Sequence, residues 1–372
     1  MRILQLSVHF KPNIGGVETH LDDLCNALVR RGFNIFVLTY RPLQTKATWK
    51  VFEEENNIKI LRLPWFPNLF YQLVSYPLFE FLYLAPALFI FTPFILLLKK
   101  IEIIHAHGLI AGFVGVFWGK MFGKRVVISL HSIYHFPKRG LYRSFVNWIF
   151  NNADYILGLS RQSVKEVKSL GILSKKVVNF TYWIDLKNYQ TVADAKKKLS
   201  WEGKFIVLFV GRLVEEKGIK ILLEAATLWD RNIILAVVGS GPLEDEVKSI
   251  AAKVANVQFI GPKSQFELAL YYSGADILIV PSTGDEGFGR VIIEALACGT
   301  PIIAARKSGI IEVMDTSVGE LIDISPTDIK QAVEALFKNQ NKLKKLAGNC
   351  RKFAERRYSE KNVRTIIKTY QR

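Results

Sequence analysis

Eleven short apolar runs set the frame of this 372-residue chain. Six lie at 3–8, 34–39, 58–63, 101–105, 125–130 and 155–159, and five more at 205–210, 233–238, 257–260, 277–280 and 301–305. Each is too short for a typical helix and is continuous rather than alternating, the pattern of a parallel strand covered on both faces. Stretches of helical spacing separate them, for example 17–30, 142–152, 218–229, 243–254, 265–272 and 289–298. Repeated strand–helix units predict a doubly wound α/β architecture. Between 184 and 204 the pattern lapses into a polar stretch that includes Asp194-Ala195-Lys196-Lys197-Lys198. The break predicts two Rossmann-like domains facing each other across a deep cleft lined by loops at the C-terminal strand ends, where open α/β sheets bind ligands. The expected divisions are 1–187, 188–355 and a C-terminal helix, 356–372, packing back towards the first domain.

Half of the residues are hydrophobic and 22% are charged, a globular balance that excludes a disordered tail. Three scattered cysteines (Cys25, Cys298, Cys350) exclude a disulfide framework, and no Cys-x-x-Cys pair is present for zinc. The N-terminus has no long apolar region with a small-residue cleavage site, so no signal peptide is read and a cytosolic location is expected. Lys plus Arg number 50 against 33 Asp plus Glu, a net charge of +17. Such a charge calls for an acidic partner: nucleic acid, anionic lipid or a phosphorylated substrate. No zinc-finger or RNA-recognition motif accompanies it, so no nucleic acid is expected.

Residues 69–98 carry one charge, Glu80, and 81–98 is an uncharged run of eighteen. By length this is a marginal membrane span. Pro77, Pro86 and Pro93 interrupt it, and a crossing here would separate the two glycine-rich loops described next. The expectation is broken helices, partly buried and partly facing a membrane interface, with a wholly buried helix pair as the alternative. Ten Lys/Arg against two acidic residues between 124 and 176 fit an anionic membrane surface, and fit an ordinary solvated basic face equally.

The chemistry concentrates after the run 277–280. Pro281-Ser282-Thr283-Gly284-Asp285-Glu286-Gly287-Phe288-Gly289-Arg290 leads into a helical stretch that contains Glu294 and closes with Cys298-Gly299-Thr300-Pro301. Glycines let backbone approach a ligand, and a helix start offers free N–H groups and a positive dipole end to an anion. Glu294 stands about 7–8 Å along the helix axis from its start, so Glu286 and Glu294 flank that cradle. Such a geometry suits a hexose, a diphosphate and a ribose in line. Gly211-Arg212-Leu213-Val214-Glu215-Glu216-Lys217-Gly218 follows the run 205–210. There Arg212 supplies a fork and Lys217 a point charge for a diphosphate. Gly15-Gly16 opens the helical stretch 17–30 as a second anion-binding start, and Gly239-Ser240-Gly241-Pro242 follows the run 233–238 without the third glycine of a dinucleotide fingerprint. His105, His107 and His131 stand at strand ends, with no acidic partner at metal-ligand spacing.

The string from Pro281 to Pro301 resembles the E-x7-E region of family 4 retaining glycosyltransferases of the GT-B fold (glycosyl transferases group 1). Gly211 to Gly218 is similar to that family's Gly-Arg-x-x-x-x-Lys-Gly motif, whose Arg and Lys bind the donor pyrophosphate. The resemblance covers nearly the whole chain, densely in the second half and loosely in the first. Two departures stand out: Thr181-Tyr182-Trp183-Ile184-Asp185 in place of Asn-Gly-Val-Asp, and Arg290-Val291-Ile292-Ile293-Glu294 in place of Leu-Val-x-Leu-Glu. The resemblance implies an acceptor-binding first domain and a nucleotide-sugar-binding second one. It implies donor contacts at Gly15, Gly16, Arg212, Lys217, Gly239, Gly241, Glu286, Gly287, Phe288, Gly289 and Glu294. Catalytic roles fall to Glu286, His131, Arg212 and Lys217, with His107 towards the sugar or acceptor and His105 structural.

The resulting expectation is a retaining hexosyltransferase with no cofactor and no metal. It would use a UDP- or GDP-sugar and a lipid-linked or glycan acceptor, in cell-envelope polysaccharide or glycolipid synthesis, peripherally on the inner face of the cell membrane. Two rivals remain: a sugar-nucleotide epimerase of similar fold, and a non-catalytic membrane or nucleic-acid binder.

Overall fold

A computed structural model describes residues 1–13, 15–43, 47–67, 73 and 76–371. The expected apolar segment begins at 69, so its positions 69–72, 74 and 75 lie outside the described residues, as does Ile14 of the first glycine loop. The chain forms two compact units, Met1–Trp183 with Glu360–Arg372, and Ile184–Ser359. The divisions lie four residues from the expected 187/188 and 355/356.

The first unit holds an eight-stranded sheet. Its strands are β1 (Arg2–Ser7), β2 (Asn34–Tyr40), β3 (Phe52–Glu55), β4 (Ile58–Leu63), β5 (Ile103–His107), β6 (Arg125–Leu130), β7 (Tyr155–Gly158) and β8 (Val177–Asn179). They lie in the order β3-β4-β2-β1-β5-β6-β7-β8. Every pairing is parallel except the hairpin β3–β4. β3 is a glutamate-rich edge (Glu53, Glu54, Glu55), which discourages further strand pairing. Its polarity hides it from a search for apolar runs. β5 runs two residues beyond the expected 101–105, because Ile3 pairs with Ile103 while Glu102 N–H bonds the Arg2 carbonyl.

Helices α1 (Gly16–Val29), α2 (Pro77–Leu98), α3 (Gly108–Met121), α4 (Leu141–Asn152) and α5 (Arg161–Ser169) accompany this sheet, together with the C-terminal helix Val363–Gln371. Within the apolar segment, Pro77–Leu98 forms one 22-residue helix, α2, so the breaks expected at Pro86 and Pro93 are corrected: both prolines lie inside it. Proline removes a helical donor and frees the carbonyl four residues earlier. At Pro93 that carbonyl belongs to Phe89, and the Trp118 indole N–H of α3 bonds it at 2.8 Å. The partner helix supplies what proline took away. One flank of α2 (Leu84, Leu88, Leu96) joins the core, and Tyr40 O–H donates to the Leu84 carbonyl at 2.6 Å. Leu78–Leu98 is long and apolar enough to cross a membrane by length and composition.

The second unit holds six parallel strands, β9 (Phe205–Val210), β10 (Ile233–Val238), β11 (Val257–Gly261), β12 (Ile277–Val280), β13 (Ile302–Ala305) and β14 (Gly319–Ile322). Their order is β11-β10-β9-β12-β13-β14. The helices are α6 (Ala195–Lys198), α7 (Ile219–Thr227), α8 (Glu244–Ala251), α9 (Gln265–Gly274), α10 (Arg290–Ala297), α11 (Ser308–Ile311), α12 (Pro326–Lys338) and α13 (Gln340–Arg357). In both units the strand order reverses beside the first strand, between β1 and β5 and between β9 and β12. Loops leaving the C-terminal ends of those strands diverge and open a crevice. The glycine motifs leave β1, β9 and β12.

Candidate active site

In the second unit the loops after β9, β10 and β12 are bound to one another. Thr283 and Gly284 N–H groups both donate to the Glu216 carbonyl, at 3.0 and 3.1 Å. Leu213 N–H donates to the Ser240 carbonyl at 2.8 Å, and Leu243 N–H to the Leu213 carbonyl at 3.0 Å. Gly218 occupies left-handed backbone (φ 72°), and a Cβ there would lie 1.9 Å from the Pro281 carbonyl oxygen. Only glycine lets the loops meet this closely. Gly218→Ala is therefore expected to destabilise the fold by more than about 2 kcal/mol, read as a lowered urea midpoint. An unchanged midpoint would show that the two loops are not pressed together.

The Lys217 ammonium donates to Glu286 Oε2 at 2.5 Å, and Ser282 O–H donates to the same oxygen at 3.0 Å. The structure thus brings together the two motifs that the sequence placed 69 residues apart. Both side chains are partly exposed, Lys217 by 26% and Glu286 by 14%, so a ligand can reach them. Arg212 is exposed and enters no ion pair among the described residues. Gly289, in left-handed backbone, caps α10, leaving the first N–H groups of that helix without a side-chain acceptor. Gly309 at the start of α11 abuts the Glu286 backbone: a Cβ would sit 1.8 Å from the Glu286 carbonyl oxygen. Sequence reading did not single out Gly309 or Ser282.

Glu294 sits differently from Glu286. It is buried on α10, with Oε1 accepting from Arg290 Nε–H and Oε2 from Tyr272 O–H, both at 2.9 Å. The two carboxylates therefore differ: Glu286 is partly exposed on its loop, and Glu294 is held inside by two internal donors. The Phe288 ring is buried and packs edge-on against Tyr358 at 5.7 Å.

In the first unit Gly15 is the N-cap of α1. A Cβ at Gly15 would lie 2.3 Å from Glu18 Oε2, so the buried Glu18 carboxylate folds back over this helix start. Gly16 is exposed. The expected anion cradle there carries its own acidic side chain.

The histidines form a chain across the sheet. His107 Nε2 bonds Gln5 Oε1 at 2.7 Å, His107 Nδ1 bonds His131 Nε2 at 2.9 Å, and His131 Nδ1 bonds Tyr182 O–H at 2.7 Å. A neutral imidazole has one donor and one acceptor nitrogen. Taking Gln5 Oε1 as acceptor assigns the direction: Tyr182 O–H donates to His131, His131 Nε2–H to His107, and His107 Nε2–H to Gln5. Burial holds the His131 and His105 rings down to about 3 and drives His107 well below its ordinary value, so all three are neutral at pH 7. His105 bonds Tyr370 and Ser129 at 2.6 and 2.7 Å. Both nitrogens of His131 and of His107 are thus engaged internally, and a sugar hydroxyl would reach either only by displacing a partner. His20 was not singled out from sequence, and Tyr182 only within the departure at 181–185, yet their rings stack at 4.0 Å beside His131. Among the described residues no cluster of three His, Cys, Asp or Glu side chains is placed to hold a metal ion.

Comparison with known proteins agrees with this layout. A family model described as Glycosyltransferase Family 4 matches residues 14–187, and one described as Glycosyl transferases group 1 matches residues 192–353. An uncharacterized glycosyltransferase of Methanocaldococcus jannaschii is 26% identical, over 100% of this chain and 98% of its own. The GPI3 subunit of the phosphatidylinositol N-acetylglucosaminyltransferase of Saccharomyces cerevisiae is 24% identical, over 91% of this chain and 75% of its own. Among solved structures, sucrose-phosphate synthase of Thermosynechococcus elongatus superposes with a TM-score of 0.82 at 24% identity, over 100% of this chain and 98% of the other. HepE of Anabaena in complex with UDP superposes with a TM-score of 0.79 at 20% identity, over 100% of both chains. Matched over both halves by these two models, the chain belongs to the family 4 (group 1) glycosyltransferases and has their GT-B fold.

Proposed function

We propose that this glycosyltransferase is a retaining enzyme that moves a hexose from a nucleotide diphosphate sugar to a membrane-associated acceptor, without a metal. The observation that carries the reading is the Lys217–Glu286 pair, which joins two loops at the strand-order reversal of the second unit. In the reaction the bond from the anomeric carbon to the leaving phosphate breaks and its electrons stay on phosphate. Stabilising that growing charge is the main electrostatic task. Arg212 and Lys217 supply fixed positive charge, and the backbone N–H groups at Gly287–Gly289 and the α10 start supply dipoles. Glu286 accepts from sugar hydroxyls and supports the cationic anomeric carbon. Glu294, already oriented by Arg290 and Tyr272, adds a ribose hydroxyl to its partners. The acceptor hydroxyl attacks on the face the phosphate leaves and passes its proton to that phosphate, which retains configuration. His131 and His107 in the first unit are held neutral by burial, so either would act as a hydrogen-bonding group rather than as a charge.

The donor class has support in HepE, solved with UDP, and a lipid acceptor in the phosphatidylinositol named for GPI3. A peripheral place on the inner face of the cell membrane follows from such an acceptor and from the exposed apolar side of α2. The test is transfer from UDP- and GDP-sugars in excess chelator. Full activity and a product of unchanged anomeric configuration are expected. Loss of activity restored by manganese would overturn the metal-free route, and donor turnover with no acceptor product would point to an epimerase.

A further inference from the structure

Leu78, Leu82, Pro86, Ile90, Phe94 and Leu98 recur every four residues along α2, and all six are exposed. Twenty residues of helix make this row about 30 Å long. Contiguous exposed apolar surface of this length marks an interaction face, and its burial would release a large apolar free energy. The row ends at a cavity of about 370 Å³ walled by Leu98 and by Arg2, Asn34, Asn57, Lys59, Lys99 and Lys100. Arg2, Asn34 and Lys59 stand at or near the N-terminal ends of β1, β2 and β4, at the opposite end of the sheet from Gly15 and His107. The cavity is therefore separate from the loops assigned to sugar transfer.

Four cations surround it and no carboxylate is among its walls. None of the four enters an ion pair among the described residues. Lys59 lies over the Phe36 ring at 5.7 Å, and Glu102 nearby accepts from the Arg2 backbone N–H rather than from its guanidinium. Like charges held around one void repel, and an anion relieves that cost. An arginine fork, lysine point charges and amide donors are the groups that bind phosphate. Lys100 and Asn57 also hold left-handed backbone (φ 50° and 63°), an unfavourable conformation for a lysine.

We propose that this cavity binds the phosphate headgroup of an anionic phospholipid while the α2 row enters the acyl region of the same bilayer. The proposal rests on the membrane reading above and adds a specific site to it. Phosphate in the cavity and chains along Phe94 and Leu98 place both parts of one lipid against adjoining surfaces. Apolar insertion plus basic contact is also what stable peripheral anchoring needs.

The test is co-sedimentation of the full chain with vesicles of phosphatidylcholine alone and of equal parts phosphatidylcholine and phosphatidylglycerol. K59A/K99A/K100A should weaken binding to the mixed vesicles at least about 10-fold. K165A/K168A/K175A, an equal charge loss outside the cavity, should weaken it less than about 3-fold. F94S/L98S should lower binding to both vesicles. Circular dichroism and sugar transfer to a soluble acceptor should be unchanged in all three. Equal losses in the two lysine variants would overturn the cavity while leaving the membrane reading standing. No binding of the wild type to either vesicle would overturn both. Release by sn-glycerol 3-phosphate at concentrations that also protect the chain from thermal unfolding would reassign the cavity to a free phosphate ester. A dimer in sedimentation equilibrium that F94S/L98S dissociates would give the row to a second copy.

Discussion

Lys217→Ala is expected to lower sugar transfer about 10²–10³-fold, chiefly in kcat. The ammonium stands at the end of the β9 loop and meets Glu286, which the β12 loop carries. Its charge is fixed before the donor arrives, so it stabilises a departing diphosphate without reorganisation. Removal also leaves Glu286 Oε2 with the Ser282 hydroxyl as its side-chain donor. A modest fall in thermal stability accompanies the loss, and activity must be compared at a temperature where both proteins are folded. Lys217→Arg keeps the charge but spreads it over a planar fork, and partial recovery is expected. Normal turnover of Lys217→Ala would refute the assignment. Glu286→Ala should be equally damaging, since it removes the carboxylate nearest to the sugar in the proposed reaction.

Acidification should destabilise the first unit steeply below about pH 6.5, by roughly 1.4 kcal/mol per pH unit for each fully buried histidine. His105 and His107 are buried and bonded to Tyr370, Ser129, His131 and Gln5. Their folded-state values lie below the unfolded one, with His105 at about 3. The unfolded chain therefore binds protons first as pH falls. Stability is fully present above the unfolded value and drains away as pH drops towards the folded value. His131 is only partly buried by exposure and contributes less. Urea midpoints between pH 7.5 and about pH 4.5 read the effect. Carboxylates add their own slope, so His105→Gln and His107→Gln are the controls: each should flatten the wild-type curve. Identical curves would show that these rings are not held neutral.

The strands that carry the motifs were legible because each is a continuous apolar run, and those of β9 and β10 lead directly into Gly211 and Gly239. β9, β10 and β12 begin and end where those runs do. β3, β8 and β14 were not: β3 for its glutamates, β8 for its three-residue length, and β14 because Gly319 and Glu320 leave only two apolar residues in it. Local sequence also misjudged α2. Two internal prolines argue for a break, but the helix continues, and at Pro93 the freed Phe89 carbonyl accepts from the Trp118 indole 29 residues away. The same limit applies at the site. The meeting of Lys217 with Glu286 follows from loops that leave neighbouring strands, which the motif pattern foreshadows. The confinement of Glu294 by Tyr272, and of His131 by Tyr182, depends on residues 22 and 51 positions away, and no local signal marks them. Burial of Phe288 against Tyr358 is of the same kind.

A crystal structure of the chain with an intact UDP- or GDP-sugar would be the most direct measurement. The diphosphate should lie within hydrogen-bond reach of Arg212 and Lys217, above the N–H groups at Gly287–Gly289, with the sugar against Glu286. A nucleotide sugar bound away from these loops, while the crystal is saturated and the enzyme active, would contradict the assignment of the second unit as the donor site.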